Sequence, residues 1–303
     1  MSRLKRALTG ISGILVTPFD EEDRLAPARL SPIIDRAVGA GVQILTVNGN
    51  TGEYYGLTAA EAERMAAEVM EFVGGRVPVV GGVGRSVNEA EALARVSAAA
   101  GAAALMVHQP PDPFVSPRGL RDYVARVADA ADGLPLVLYL RNDAIGTKSI
   151  EALCRIPSVV GVKWATPNPL KLAAAMAAAP DDIVWVGGLA EVWAPPFYAV
   201  GARGFTSGLI NVWPERSVAI HAALESGDTV KAGQLIQSMK VFEDIRAEEM
   251  GGTNVTGVKS ALAMMGLDCG PTRPPSAWPL TSDQSTRLRG FLTANNLVTE
   301  ETS

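Results

Sequence analysis

Short apolar runs recur along the chain, and each is followed by an alanine-rich stretch with helical spacing. The runs fall at residues 13–17, 42–48, 77–83, 104–108, 134–140, 159–164, 183–187 and 204–207, with starts about 20 to 35 residues apart. That is the spacing of successive strand–helix units, and their two-sided apolar character predicts a parallel sheet covered by helices. Helix starts are marked as well: Thr58 with Glu61 three residues on, and Ser86 with Glu89, are capping boxes. Eight units predict a (β/α)8 TIM barrel, an α/β fold whose competitor is an open doubly wound sheet. No G-x-G-x-x-G follows the first run, and Gly81-Gly82-Val83-Gly84 does not complete that pattern, which weighs against the competitor. The barrel is expected over residues 1–226, closing with a helix at 214–226. A C-terminal helical extension is expected over 227–303, with helices at 229–249, 255–266 and 282–295 separated by Gly251-Gly252 and a proline-rich stretch.

Composition narrows the partners. With 303 residues, 48% hydrophobic and 19% charged, the chain can bury a large core. A formal net charge of −5 and the lack of a Lys/Arg run argue against a nucleic-acid partner, whose phosphates require a basic footprint, and for a small-molecule substrate. Cys154 and Cys269 are the only cysteines, which suggests no disulfide framework, no cysteine zinc site and a reducing, cytoplasmic setting. Arg3, Lys5 and Arg6 ahead of the apolar residues 7–16 superficially resemble a signal peptide. The run ends in Thr17-Pro18-Phe19-Asp20 without a small-residue cleavage site, and reads as a first strand. No apolar segment reaches the roughly 18 residues that span a bilayer.

In such a barrel the chemistry sits at the C-terminal ends of the strands. Those ends carry Thr17, the turn from Asn48 to Glu53, Arg85, His108, Tyr139, Arg141, Lys163, Gly187-Gly188 and Ser207. Lys163 ends a core strand, where an ammonium needs a reason: it either snorkels to solvent or is an amine nucleophile. Asn50-Thr51-Gly52 is either an ordinary tight connection or a turn whose N–H groups hold a carboxylate. Tyr139 is a core aromatic or a proton relay, His108 a hydrogen-bonded structural residue or a substrate contact, and Arg141 a carboxylate clamp or an outward ion-pairing residue. His221 reads as filler in a helix. With two histidines a His-based metal site is not expected. Amine, phenol and carboxylate-holding turn together are what Schiff-base chemistry on a 2-oxo acid requires.

At these residues the sequence resembles the dihydrodipicolinate synthase and N-acetylneuraminate lyase superfamily of class I aldolases. Gly13 to Phe19 resembles its first strand, Asn50-Thr51-Gly52-Glu53 its G-[ST]-T-G-E turn, Tyr139 the tyrosine ending strand five, and Gly161-Val162-Lys163 its G-[IV]-K lysine. Asn254 to Leu262 and Gly270-Pro271-Thr272-Arg273-Pro274-Pro275 resemble its C-terminal N-x-x-x-V-K-x-A-L and G-x-x-R-x-P patterns. The resemblance implies that Lys163 forms an imine with pyruvate or a 2-keto(-3-deoxy) acid. Tyr139 would shuttle protons, and Thr51 with the N–H groups of Thr51 and Gly52 would bind the carboxylate. It also implies a homo-oligomer, a dimer or tetramer, without cofactor or metal. Asn50, His108, Arg141, Gly188 and Ser207 complete the expected substrate-binding set.

Three departures qualify this. Asn50 stands where true dihydrodipicolinate synthases carry a relay threonine, no tyrosine stands near Pro110-Pro111, and the arginine expected past the strand-five tyrosine falls near Ala144. The stretch Tyr139 to Asp143 is partly similar to ketodeoxyglucarate dehydratases. The expected activity is therefore a Schiff-base lyase, aldolase or dehydratase. The alternatives are a true dihydrodipicolinate synthase and a catalytically silent keto-acid-binding paralogue.

Overall fold

The computed structural model describes residues 2–298. Eight parallel strands close in sequence order into a barrel: β1 (Ile11–Ile14), β2 (Ile44–Val47), β3 (Val79–Val83), β4 (Ala104–His108), β5 (Leu136–Leu140), β6 (Val159–Trp164), β7 (Val184–Gly187) and β8 (Phe205–Ser207). Helix α1 (Arg3–Leu8) precedes β1. Helices α2 (Ser31–Ala40), α3 (Ala59–Val73), α4 (Val87–Ala99), α5 (Pro117–Ala130), α6 (Thr147–Cys154), α7 (Pro169–Ala178), α8 (Ala194–Ala199) and α9 (Pro214–Glu225) follow the eight strands in turn. Thr58 and Ser86 cap α3 and α4 in full capping boxes with Glu61 and Glu89, as their spacing predicts. No helix among the described residues is long and apolar enough to cross a membrane.

The apolar residues divide into two packed layers. One lies between sheet and helices; the other fills the barrel with Ile44, Val80, Met106, Val137, Val184 and Val186, among others. Ala7 and Leu8 of α1 belong to the inner layer, so this short helix plugs the N-terminal end of the barrel. The expected strand at residues 7–16 is therefore split. Its first two residues end a helix, and β1 occupies Ile11–Ile14 rather than 13–17. Beyond Leu15 the chain leaves the sheet, because the Val16 N–H is taken by the Asn211 side chain at 3.3 Å and the Thr17 hydroxyl by the Gly52 carbonyl at 2.6 Å.

One irregularity positions the site. Between β5 and β6 the register slips, so that Leu136 pairs with Val159 but Val137 with Gly161. Val160 packs on the inner layer, whereas Val162 and Trp164 lie in the outer one. Strict alternation from Val160 would have sent Lys163 outward. The extra residue turns it inward, directly across from Tyr139, which in turn pairs with His108.

Past the barrel, α10 (Thr229–Ser238), α11 (Lys240–Gly251), α12 (Asn254–Met264) and α13 (Ser282–Ala294) form the helical extension. The single helix expected at 229–249 is two, bent at the fully buried Met239. α11 loses helical geometry at Glu248, Glu249 and Met250, where the chain turns toward α12.

Candidate active site

A cavity of about 870 Å³ opens at the C-terminal end of the strands, between the barrel and helices α10 to α12. Lys163, Tyr139, Asn50, Thr51, Gly188 and Arg141 all line it, so the topology brings six of the nine expected residues together. Lys163 is buried at 4% exposure, with its Nζ 3.8 Å from the centre of the Tyr139 ring. No carboxylate pairs with it among the described residues. Burial, helped by the positive charge of Arg141, pulls its pKa from 10.5 down to about 7. The ring face favours the ammonium, but desolvation outweighs it. Between pH 7 and 10.5 unfolding therefore takes up a proton at Lys163, and its contribution makes stability rise with pH across that window.

The Tyr139 phenol is buried too, and burial pushes its pKa up to about 12, Arg141 opposing. It is a neutral hydroxyl at pH 7. The Asn50 amide donates to its oxygen at 3.0 Å, which leaves the phenolic proton free to be given away and stabilises the oxygen left behind. Asn50 and Thr51 lie on a single 3-10 turn after β2. Gly188 has to be glycine, since a Cβ there would sit 2.6 Å from the Trp164 carbonyl oxygen. Arg141 lies exposed at the cavity mouth, its backbone N–H held by Gln109 at 2.7 Å, and makes no ion pair among the described residues.

Three expected residues lie elsewhere. His108 faces inward but is sealed off: it stacks on Tyr54 at 4.6 Å, meets Tyr139 edge-on, and bonds through Nε2 to the Asn48 carbonyl at 2.9 Å. Burial holds its pKa down at about 3, so it stays a neutral structural ring. Ser207 points outward, to Glu191 at 2.5 Å and Ser217 at 3.0 Å, while its neighbours Thr206 and Gly208 line the cavity. The Gly52 N–H is spent on the Gly49 carbonyl at 3.0 Å; that of Thr51 makes no backbone bond among the described residues. Arg85, also at a strand end, stacks on Tyr54 and donates to the Tyr54 and Leu57 carbonyls, a structural role.

A sequence model of the Dihydrodipicolinate synthetase family matches residues 7–295. The chain belongs to that family. It is a lyase of the dihydrodipicolinate synthetase group, and its relatives carry the names of dehydratases and of synthases. A probable 5-dehydro-4-deoxyglucarate dehydratase of Bacillus subtilis is 27% identical over 96% of both chains. A second protein of that name, from Streptomyces coelicolor, is 32% identical over 93% of this chain and 88% of its own. The crystal structure of dihydrodipicolinate synthase from Oceanobacillus iheyensis superposes with a TM-score of 0.92 at 34% identity, covering 97% of this chain and 98% of the other.

In this family member the two C-terminal motifs converge on the turn after β2. Lys259 of α12 is fully buried with its Nζ 2.6 Å from Glu53 Oε1 and donates to the Pro271 carbonyl at 2.7 Å. Glu53 Oε2 accepts from the Arg273 backbone N–H at 2.8 Å, and the Arg273 guanidinium pairs with Asp23 and Glu61. Glu53 itself has φ 54°, a left-handed conformation that this clamp holds. Lys259→Met would leave the Glu53 carboxylate buried without a cation. The expected loss is about 3–5 kcal/mol in a denaturant titration, with part recovered by adding Glu53→Gln; an unchanged midpoint would show that the pair carries no stability.

Sequence reasoning missed several cavity residues, foremost Arg246 on α11, buried at 5% exposure. Its only sequence signal is the Glu243–Arg246 spacing of an i,i+3 helix pair, which says nothing about which way the helix faces.

Proposed function

We propose that the protein is a class I lyase that carries a 2-keto-3-deoxy sugar acid through dehydration as an imine of Lys163. The observation behind this reading is the buried Lys163 amine on the cavity wall, without an ion-pair partner among the described residues and with its pKa lowered to about 7, so that a large share of it is unprotonated at pH 7. A neutral amine adds to the C2 carbonyl, and loss of water from the carbinolamine gives the imine, whose nitrogen then acts as an electron sink. The Tyr139 phenol protonates the departing carbinolamine hydroxyl, its oxygen then takes the proton from C3 and returns it to the departing C4 hydroxyl, and hydrolysis of the imine restores the phenol, so one water is lost in sum. Hydrolysis of the imine returns the amine. Thr51 is read as the carboxylate anchor and Asn50 as the group that holds the phenol. The cavity of about 870 Å³ leaves room for a chain longer than pyruvate, and the relatives named dehydratases support the same choice. No cofactor is needed, since the imine itself supplies the electron sink. The exposed Tyr55 and Phe114 on the loops after β2 and β4 support a homo-oligomer, and two buried free cysteines support a cytoplasmic setting.

A second reading, a 4-hydroxy-tetrahydrodipicolinate synthase, draws on the likeness to the Oceanobacillus structure. Against it, an amide at Asn50 cannot relay a proton as a hydroxyl does. Incubation with a panel of 2-keto-3-deoxy sugar acids is expected to yield a product lighter by one water. Release of pyruvate and an aldehyde instead would make the enzyme an aldolase. Turnover only with pyruvate and aspartate semialdehyde would establish the second reading.

A further inference from the structure

We propose that Arg246, supplied by the C-terminal extension, is a second anchor for the substrate carboxylate, facing Thr51 across Gly208. This rests on the reading of the cavity as a 2-oxo acid site. The Arg246 guanidinium has five N–H donors. Three are used within the protein: Nη1 to Glu243 Oε1 at 2.5 Å, Nη2 to Asn254 Oδ1 at 3.0 Å, and Nε to the Asn254 carbonyl at 3.3 Å. These contacts fix the plane of the fork and leave two donors unassigned on a side chain that lines the cavity.

Gly208 sets where those donors lie. A Cβ at that position would stand 2.7 Å from Arg246 Nη2 and 3.3 Å from Thr51 Oγ1. Guanidinium and hydroxyl thus stand beside the same glycine on the cavity wall, and a carboxylate laid against that glycine accepts from both. The electrostatics point the same way. A carboxylate taken out of water needs a cation, and Lys163 has to be uncharged when it attacks the carbonyl. Arg141 sits exposed at the mouth, where water screens it, whereas Arg246 is buried at the wall and acts at lower dielectric. Lys240, the other cavity-lining cation of α11, is paired with Asp244 as Arg246 is with Glu243, but its side chain is 55% exposed against 6% for Arg246.

The test compares pyruvate with methyl pyruvate, which differ in the charge that Arg246 would read. Half-saturation of borohydride trapping is expected to favour pyruvate in the wild type. Arg246→Gln should shrink that preference by about ten- to a hundredfold, with the trapping of methyl pyruvate retained and Arg246→Lys recovering part. An unchanged preference in a folded Arg246→Gln protein overturns the proposal. Should Arg246→Gln not fold, Gly208→Ala is introduced into Thr51→Val, because a Cβ at Gly208 also reaches Thr51 Oγ1: a preference reduced below that of Thr51→Val supports the anchor and an unchanged one overturns it. If the wild type is trapped by neither ligand, the imine reading fails. Arg246 is then decided by calorimetric binding of pyruvate to Lys163→Ala with and without Arg246→Gln, where weaker binding in the double variant upholds the anchor and equal binding removes it.

Discussion

Lys163→Ala is expected to lose turnover by about four orders of magnitude or more, because it removes the atom that carries the substrate. Its fold should survive. The side chain is buried but makes no ion pair among the described residues, and its Nζ rests on the face of the Tyr139 ring, so a methyl group leaves no polar atom stranded. Lys163→Arg should fail equally, since a guanidinium keeps its proton at any accessible pH and cannot attack a carbonyl. Binding of the keto acid should weaken much less than turnover, because Thr51, Arg141 and the rest of the cavity remain. Steady-state kinetics alongside equilibrium binding check both halves. Substantial turnover in Lys163→Ala would mean that the reaction does not pass through this amine.

Tyr139→Phe is expected to lower kcat by about 10²- to 10⁴-fold, the usual span for a positioned acid–base group, while keto-acid binding changes little. The ring that packs over Lys163 stays, and only the hydroxyl that Asn50 holds at 3.0 Å is lost. The imine should still form in this variant, and the proton transfers after it should be slowed more than its formation, so that they become limiting. Single-turnover measurements separate these steps. An equal loss of binding and turnover would reduce the phenol to a wall of the pocket.

Much of this is legible in the sequence. The eight apolar runs and their spacing carry the barrel, and the strand ends already bring Lys163, Tyr139, Asn50 and Thr51 to one face. Some of the differences are matters of one residue. Side chains alternate along a strand, so reading Ser207 rather than Thr206 as a cavity residue is a slip by one position, and it exchanges the inside for the outside. Lys163 faces inward only because of the slip between β5 and β6, which no apolar pattern in 159–164 announces. His108 is placed correctly and still excluded, since Tyr54 and Tyr139 close over it. The extension is the least legible part. Its motif residues Lys259 and Arg273 turn out to clamp Glu53, and Arg246 lies on a helix whose orientation depends on how α10 to α12 dock over the barrel.

The central claim is that Lys163 attacks as a neutral amine, and intact-mass analysis after borohydride reduction tests it most directly. Incubated with pyruvate, the wild-type chain should gain one reduced pyruvate adduct on the peptide that contains Lys163, and Lys163→Ala should gain none. The trapping rate should rise through pH of about 7, as the amine loses its proton, and level off above it. No adduct with pyruvate or any longer 2-oxo acid, or an adduct that persists in Lys163→Ala, would contradict the account.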